Sequence, residues 1–397
     1  MKIFLVDFFV HHVEYTGYLG RYLLEEGHEV TFATWQRDDK LQPLSEIGLN
    51  LRYVGESHPA LAAETLRMIP QFEKGLRNCL KISAKESAAI VHFLYLDRAI
   101  LLPLWWKTLW HGFHVPVFGT LDAAYHFIDS PNLSPPEELY HTMVRKALKN
   151  LLLRGKLAYL FVPTERIKDV VLRALGTKCL EDRILVVPIA LPDPMPDQHS
   201  SKLACRVQLG LPQDRIVLLF FGELRENKGP DVLLEAVHSL PAEVLVLFAG
   251  ASMGSFARDW EQEVRIHDLD GQVRLDLGHV PDELVSVYIQ AADAIVLPYR
   301  RSFLGVSGVL QWAAAARKPV ITTDVGELGD LVTRYRLGLV VEPEDPKRLA
   351  EAIGQYVRQR HTIENSVKEF APRYSALNHW RQTGASVLAA YQCVVLG

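Results

Sequence analysis

The sequence predicts an α/β protein with two Rossmann-like domains, because strand-like and helix-like segments alternate in each half of the chain. The first half opens with an apolar run over 2–6 that predicts a strand, followed by an amphipathic helix over 18–26. The second half repeats this order, with a strand over 216–221 and a helix over 231–240. Such alternation is typical of parallel sheets joined by right-handed crossovers. A proline-rich polar stretch over 188–201 predicts the linker between the halves.

The length of 397 residues also favours two domains, since a single core of that size is uncommon. We expect an N-terminal domain over 1–190, a C-terminal domain over 191–374 and a closing helix over 375–397. Two such domains facing each other would leave a cleft, with ligands bound at the carboxyl ends of parallel strands.

Composition and charge exclude several classes of protein. A formal net charge of −4 gives no basis for nucleic acid as the main partner. The four cysteines show no metal-ligand or disulfide spacing, which favours a reducing compartment. The chain begins directly with a strand, without a signal-peptide pattern, and apolar stretches such as 99–106 are shorter than the roughly 20 residues that span a bilayer. We therefore expect a cytoplasmic protein that does not cross a membrane.

Two loops of the second half carry residues that suit a phosphate group. The loop between the first strand and helix of that half contains Arg225 and Lys228, and a later loop leads into a helix at Ser307–Gly308. Arginine can fork two donors onto phosphate oxygens, lysine adds a compact charge, and a helix start offers unpaired N–H groups. Either cation alone could simply solvate its loop. Two such loops at the carboxyl ends of parallel strands favour a diphosphate site.

Several ordered segments of the second half carry a family resemblance. They read FFGELRENKG, DVLLEAV, VLVLFAG, PVITTDVGELGDLV and GLVVEPEDPKRLAEAI. This series resembles the nucleotide-sugar-binding half of retaining glycosyltransferases with the GT-B fold, in the large family of sucrose, mannosyl and polysaccharide-building transferases. The first half fits more loosely, through KIFLVDFF, GHEVTFAT and VPVFGTLDAAYH, and HWRQTGASVLAAYQ resembles the family's closing segment.

The resemblance implies a GT-B fold whose closing helix crosses back to the N-terminal domain. It implies transfer of a sugar from a nucleotide diphosphate sugar to a hydroxyl acceptor (a sugar, a lipid-linked sugar or a small molecule), with retention and without a metal or other cofactor. The donor diphosphate would be held, and its charge absorbed, by Gly222, Arg225, Lys228, Ser307, Gly308 and Val309. The nucleoside and the donor sugar would lie near Gly250, Gly278, His279, Val280 and Gln311.

The helix of the second loop departs from the family pattern. Many members carry two glutamates there that hold hydroxyl groups of the donor. Alignment on the following Pro-Val places Leu304 and Trp312 at those positions, and a shift by one residue places Phe303 and Gln311. Neither choice supplies a carboxylate. Gln311 is the polar substitute on that helix, or else an ordinary helix position.

The loop after the first strand also departs from the family pattern, since His11, His12 and Glu14 stand where many members have paired glycines. These side chains can contact acceptor hydroxyls or serve as acid–base groups, or they can simply pack the loop. A metal site is a further reading, but adjacent strand residues point to opposite faces, so we expect no metal.

Asp122 stands where the family usually has a histidine that reaches the reaction centre, and His126 follows four residues later. The carboxylate of Asp122 could orient the acceptor hydroxyl or stabilise positive charge at the sugar carbon, and His126 could replace the missing imidazole. Asp122 could equally cap a helix, and the two roles are compatible. We expect domain closure to bring Asp122 and the loop of His11 and His12 onto the acceptor.

Two clusters of the first half have alternative readings. A basic stretch over 145–156 is interleaved with leucines, which suits either peripheral contact with the inner face of a membrane or an ordinary surface helix. The tryptophans Trp105, Trp106 and Trp110 can stack on an acceptor sugar or pack in the core. Two other functions share the fold: a nucleotide-sugar-binding protein with impaired catalysis, and a GT-B epimerase. Nothing in the sequence indicates an oligomeric state.

Overall fold

The computed structural model shows two units, each with its own parallel sheet. It describes residues 1–8, 13–35, 38–55, 69–96, 113–127, 134–188, 201–252, 259–303 and 305–396. One unit comprises Met1–Ala190 and Asn378–Gly397, and the other comprises Leu191–Leu377. The predicted linker over 188–201 falls almost entirely outside the described residues. None of the described helices is both long enough and apolar enough to cross a membrane.

The N-terminal unit contains a seven-stranded sheet. Its strands in chain order are β1 Lys2–Val6, β2 Glu29–Thr34, β3 Asn50–Tyr53, β4 Ile90–Phe93, β5 Val117–Thr120, β6 Tyr159–Val162 and β7 Ile184–Val186. In space the order is β3-β2-β1-β4-β5-β6-β7, and every pair is parallel. The direction of winding therefore reverses between β1 and β4.

Helices of this unit follow from clear local signals. Those that the structure describes are α1 Val13–Glu25, α2 Gln42–Glu46, α3 Ile69–Lys85, α4 Pro135–Leu153, α5 Glu165–Leu175 and the final helix α13 Trp380–Leu396. Ser134 and Glu137 form a capping box before α4, and Thr164 accepts a hydrogen bond from the Ile167 N–H at the start of α5. The helix predicted over 18–26 corresponds to α1, which begins earlier, at Val13.

The C-terminal unit contains a six-stranded sheet. Its strands are β8 Ile216–Phe221, β9 Val244–Gly250, β10 Val273–Leu277, β11 Ala294–Leu297, β12 Val320–Thr323 and β13 Gly338–Val341. They lie in the order β10-β9-β8-β11-β12-β13, again all parallel. This is the doubly wound arrangement of a Rossmann domain, and its winding reverses between β8 and β11.

Helices cover both faces of the second sheet. They are α6 Lys202–Leu209, α7 Pro230–Val237, α8 Trp260–Ile266, α9 Asp282–Ala291, α10 Gly308–Ala315, α11 Leu328–Arg334 and α12 Pro346–Leu377, which bends at Gln359. Side chains of β8 alternate between two apolar clusters: Val217 and Leu219 belong to one, Leu218 and Phe220 to the other. A strand buried on both faces reads as an unbroken apolar run, which is why β8 is readable from sequence.

The basic stretch over 145–156 lies in α4 and the turn that follows it. Leu148, Leu151 and Leu152 are buried, whereas Leu153 is half exposed. The leucines therefore serve the core of the N-terminal unit, as in an ordinary surface helix. The tryptophans Trp105, Trp106 and Trp110 lie outside the described residues.

Candidate functional site

The loops predicted to bind a diphosphate lie at the point where the second sheet reverses its winding. β8 and β11 are hydrogen-bonded neighbours, and residues 222–229 and 298–307 follow their carboxyl ends. Loops that leave two neighbouring strands at a reversal run to opposite faces of a sheet and open a crevice, which is where doubly wound folds bind ligands. Topology thus brings together two loops that the sequence separates.

Gly222 and Lys228 define the loop after β8. Gly222 has a φ of +99°, a conformation that favours glycine, and a Cβ at this position would lie 3.0 Å from Lys228 Nζ. The lysine ammonium is therefore folded back over the carboxyl end of β8. Arg225 is 45% exposed, and its guanidinium lies 3.3 Å from the Glu223 carboxylate. One cation is half buried beside the backbone and the other reaches into solvent.

The environment of Lys228 lowers the pKa of its ammonium group. Burial, and then the neighbouring Arg225 charge, lower the pKa of Lys228 to about 8. A half-buried ammonium beside a second cation is stabilised by an anion, because an opposite charge favours the charged form. The loop after β8 is therefore suited to a polyanion.

Ser307 begins helix α10 after the loop that leaves β11. Its side chain is buried, and its Oγ accepts a hydrogen bond from the Leu310 N–H at 3.3 Å and lies 3.3 Å from the Tyr299 hydroxyl. Gly308 is exposed, and among the described residues no atom outside its chain neighbours and its own helix lies within 4 Å of the place that its Cβ would take. The first N–H groups of a helix have no intrahelical acceptor, so those of Gly308 and Val309 are available to bind an anion.

Contacts between the two loops fix the position of one loop against the other. The Arg300 N–H donates to the Asn227 carbonyl at 3.0 Å, and Arg300 forms an ion pair with Asp231. Gly229 has a φ of +63°, and a Cβ there would lie only 2.2 Å from the Pro298 carbonyl oxygen. Sequence reasoning missed Asn227, Asp231 and Arg300, because no local signal pairs residues so distant along the chain.

The residues predicted for the nucleoside side lie at the next two strand ends. Gly250 ends β9 with a φ of +146°, and its Cβ position falls 2.1 Å from the Gly222 carbonyl oxygen. The Gly278 N–H donates to the Gly250 carbonyl at 3.1 Å, and His279 and Val280 follow directly. Gly222, Gly250 and Gly278 therefore form one continuous edge at the ends of β8, β9 and β10.

The positions aligned with the missing glutamates are mainly packing positions. Gln311 is buried on α10, and Trp312 packs against the apolar core. Phe303 is buried with its ring centroid 4.4 Å from that of Tyr299. Leu304 lies outside the described residues.

The predicted acceptor-side residues that the structure describes belong to the N-terminal unit. Glu14 is exposed in the first turn of α1, directly before the buried Tyr15. Asp122 is partly buried after β5, and burial together with the Asp122 charge raises the pKa of Tyr15, whose hydroxyl bonds Thr120. The structure thus brings the start of α1 close to Asp122. His11 and His12 lie outside the described residues, so their predicted roles stay predictions.

His126 is buried in a cluster of aromatic rings that follows Asp122. It sits in a short 3-10 helix, Tyr125–Phe127, with its ring centroid 4.6 Å from that of His141 on α4. The Arg145 Nε donates to the His126 carbonyl at 2.7 Å. Burial, followed by the Arg145 charge, lowers the pKa of His141, so this second imidazole favours its neutral form. Sequence reasoning did not identify Tyr15 or His141, which no motif marks.

A family model for group 1 glycosyl transferases matches residues 215–359. This range contains both loops and the three glycines at the strand ends. Residues 215–359 form a group 1 glycosyltransferase domain. The D-inositol 3-phosphate glycosyltransferase of Corynebacterium urealyticum is 31% identical over 195 residues, which are 47% of this chain and 45% of that protein. The chain spans about half the length of the curated relatives it matches.

Solved structures with the same fold cover both units of the chain. The sucrose-phosphate synthase of Thermosynechococcus elongatus superposes with a TM-score of 0.77 at 19% identity, over 100% of this chain and 99% of that one. Anabaena HepE in complex with UDP superposes with a TM-score of 0.77 at 14% identity, over 99% of this chain and 100% of that one. At these identities the likeness establishes the fold alone. The predicted family and the predicted GT-B fold class are confirmed.

Proposed function

We propose that this protein transfers a sugar from a nucleotide diphosphate sugar to a hydroxyl acceptor. The observation that carries the proposal is the meeting, at the β8–β11 reversal, of the Arg225–Lys228 loop with the open start of α10. The family match over 215–359 supports it, as do the HepE structures, which hold UDP and UDP-glucose. The donor therefore binds in the C-terminal unit.

The proposed reaction needs no metal, because the protein itself supplies charge at the leaving group. Arg225 and Lys228 contribute two cations, and the first N–H groups of α10 contribute hydrogen-bond donors. Preorganised donors aimed at developing charge are a large source of rate acceleration. Retention of anomeric configuration is proposed from the family resemblance, and no other cofactor is invoked.

The acceptor is proposed to contact the N-terminal unit through Asp122, His126 and Glu14, together with His11 and His12. Asp122 places a carboxylate just after the carboxyl end of β5, where ligands of an α/β sheet bind. In the proposed reaction it orients the acceptor hydroxyl. Peripheral membrane contact through α4 stays a prediction, and the burial of its leucines favours an ordinary surface helix.

Activity is tested by screening UDP-, GDP- and ADP-sugars for thermal stabilisation and then assaying donor hydrolysis and transfer. A donor at about 100 times its Kd is expected to stabilise the protein by roughly 2.7 kcal/mol. Selective stabilisation followed by release of nucleoside diphosphate supports the proposal. Binding without hydrolysis or transfer would instead identify a nucleotide-sugar-binding protein.

Replacement of Arg225 tests the assignment of the diphosphate site. Loss of a charge-assisted hydrogen bond costs roughly 1.5–3 kcal/mol, so Arg225→Ala is expected to weaken nucleoside diphosphate binding by about ten- to a hundredfold. Binding of the nucleoside alone should not change. Arg265→Ala is the matched control, because Arg265 is also exposed and also lies near a glutamate, Glu261 at 3.8 Å. Calorimetric titration decides the matter, and equal diphosphate affinities across the set would remove Arg225 from the site.

A further inference from the structure

An ion pair connects the two loops of the donor site. Arg300 lies in the loop after β11, Asp231 lies in the first turn of α7, and their side chains meet at 2.5 Å. The pair is mostly shielded from solvent, with Arg300 26% exposed and Asp231 24% exposed. It therefore joins the segment that carries Lys228 to the segment that leads into α10.

The backbone reinforces this connection at two points. The Arg300 N–H donates to the Asn227 carbonyl at 3.0 Å, directly before Lys228. Gly229 packs so closely on Pro298 that a Cβ would lie 2.2 Å from the proline carbonyl oxygen. Within the described residues, one side-chain contact and two backbone contacts thus hold the cationic loop against the loop after β11.

The buried atoms of the pair make it sensitive to one-sided change. In the part of the chain that the structure describes, Arg300 Nε and Asp231 Oδ1 are buried without a hydrogen-bond partner. Removal of one partner leaves the other charge uncompensated in a largely buried position, which is unfavourable. Loss of one member should therefore disturb the loops more than loss of both.

We propose that Asp231 and Arg300 are positioning residues that hold the two diphosphate-binding loops in register. This inference rests on the proposed function for its ligand, but the pair itself belongs to the unliganded fold. Asp231 neutralises the Arg300 guanidinium, so Arg300 acts through the loops and not as a phosphate ligand. Arg300 in turn screens the Asp231 carboxylate, which would otherwise repel a diphosphate next to Lys228.

The test compares Arg300→Gln, Asp231→Asn and the double variant with wild type. Arg301→Gln is the matched control, since Arg301 is the adjacent arginine and pairs with Glu342 and Glu344 at the surface. The single variants are expected to weaken UDP, GDP or ADP binding, whichever the wild type binds, by about tenfold, and the double variant by no more than the worse single. Nucleoside affinity should change little, and Arg300→Lys should recover part of the loss.

Amide hydrogen exchange of the unliganded protein gives a second readout that needs no ligand. Exchange over 225–230 and 301–308 should accelerate in both single variants and stay at the wild-type rate in Arg301→Gln. Unchanged exchange in both single variants would overturn the positioning role. So would additive losses of affinity, which would mean that the two residues act independently, or tighter diphosphate binding by Asp231→Asn, which would point to Arg300 as a direct ligand. Accelerated exchange in a protein that binds no nucleotide would reject the proposed function and keep the loop pairing.

Discussion

Lys228 shows how the packing of one residue shapes the chemistry of the candidate site. Its ammonium lies over Gly222, where a side chain would crowd it, and beside the Arg225 cation. Burial and the neighbouring charge lower its pKa from 10.5 to about 8. The unliganded site thus holds a cation that is poorly solvated and poorly compensated, and a bound diphosphate relieves both conditions.

We predict that nucleoside diphosphate binding weakens above pH 8. The pKa of Lys228 is lowered, so its charge is present below about pH 8 and is lost as the pH rises through that value. A bound anion raises the pKa, and linkage then gives up to about a tenfold loss of affinity per pH unit between the free and bound pKa values. Titrations from pH 6.5 to 9.5 should show this slope in wild type. Lys228→Arg should flatten it, because arginine stays charged, and an equal slope in both proteins would exclude Lys228.

The ionisation of Lys228 also makes the free energy of unfolding depend on pH. Its folded pKa lies below its unfolded value, so the unfolded chain binds more protons between about pH 8 and pH 10.5. The free energy of unfolding from this group therefore rises with pH across that window. Diphosphate affinity and the stability contribution of Lys228 change in opposite directions above pH 8.

At the scale of elements, the two loops of the site depend on a close approach between backbones. Gly229 joins the short 3-10 turn Glu226–Lys228 to helix α7. It has a φ of +63°, and a Cβ at this position would be directed at the Pro298 carbonyl. Gly176 ends helix α5 with a nearly identical φ of +62°, but no described residue other than its chain neighbours lies within 4 Å of its Cβ position. The two glycines share a backbone conformation and differ in their surroundings.

Alanine substitution separates these two effects. Gly176→Ala should cost about 1–2 kcal/mol, the penalty of a left-handed conformation with a side chain. Gly229→Ala should cost a further 1–3 kcal/mol or so, because its Cβ must displace a backbone carbonyl. It should also weaken diphosphate binding, since the loops must separate. Urea unfolding and calorimetric titration measure both effects, and equal costs for the two variants would mean that the Pro298 contact is not limiting.

At the scale of the whole molecule, the two ends of the chain share one unit. Helix α13 packs on α1, where Trp380 lies against Tyr18 and Tyr22. The buried Tyr391 hydroxyl lies 2.6 Å from His92 Nδ1, and His92 Nε2 lies 2.8 Å from the Thr120 hydroxyl at the end of β5. Burial lowers the pKa of His92 to about 3, so this imidazole is neutral and links the two hydroxyls without a charge.

We expect a chain that ends at Leu377 to lose the fold of the N-terminal unit and keep that of the other unit. Trp380, Val387, Leu388 and Tyr391 are buried, and burial of each such side chain stabilises by roughly 1.5–3 kcal/mol. Their sum approaches the total stability of about 5–15 kcal/mol that is usual for a domain. Calorimetry of the truncated chain should show one cooperative unfolding transition fewer than calorimetry of the full chain. The truncated chain should still bind nucleoside diphosphate.

Tyr391→Phe is the graded control for this truncation, because it removes only the hydroxyl that meets His92. It should destabilise the N-terminal unit by about 1–3 kcal/mol, the cost of a buried polar group left without its partner. A truncated chain with an unchanged N-terminal transition would show that α13 is dispensable.

The sequence by itself determined the alternation of strands and helices, the family, and two candidate phosphate-binding loops, one with cations and one at a helix start. These features are local: β8 is an apolar run buried on both faces, Arg225 and Lys228 lie in the loop that follows it, and Lys228 and Ser307 each precede a glycine. Element boundaries were less accurate, because α1 starts at Val13 without a serine, threonine or aspartate that would announce it. The assigned role of each site residue stays a prediction.

Only the tertiary structure decided which distant residues meet. Asp231 and Arg300 are 69 positions apart, and His92 and Tyr391 are 299 apart, so no periodicity or spacing could pair them. The same holds for Tyr15 beside Asp122, which requires β1, β4 and β5 to lie side by side. The physical reason is that the order of strands in the sheet, and not their order in the sequence, sets which loops lie at the same edge. Polar groups that become buried there must then form hydrogen bonds with one another.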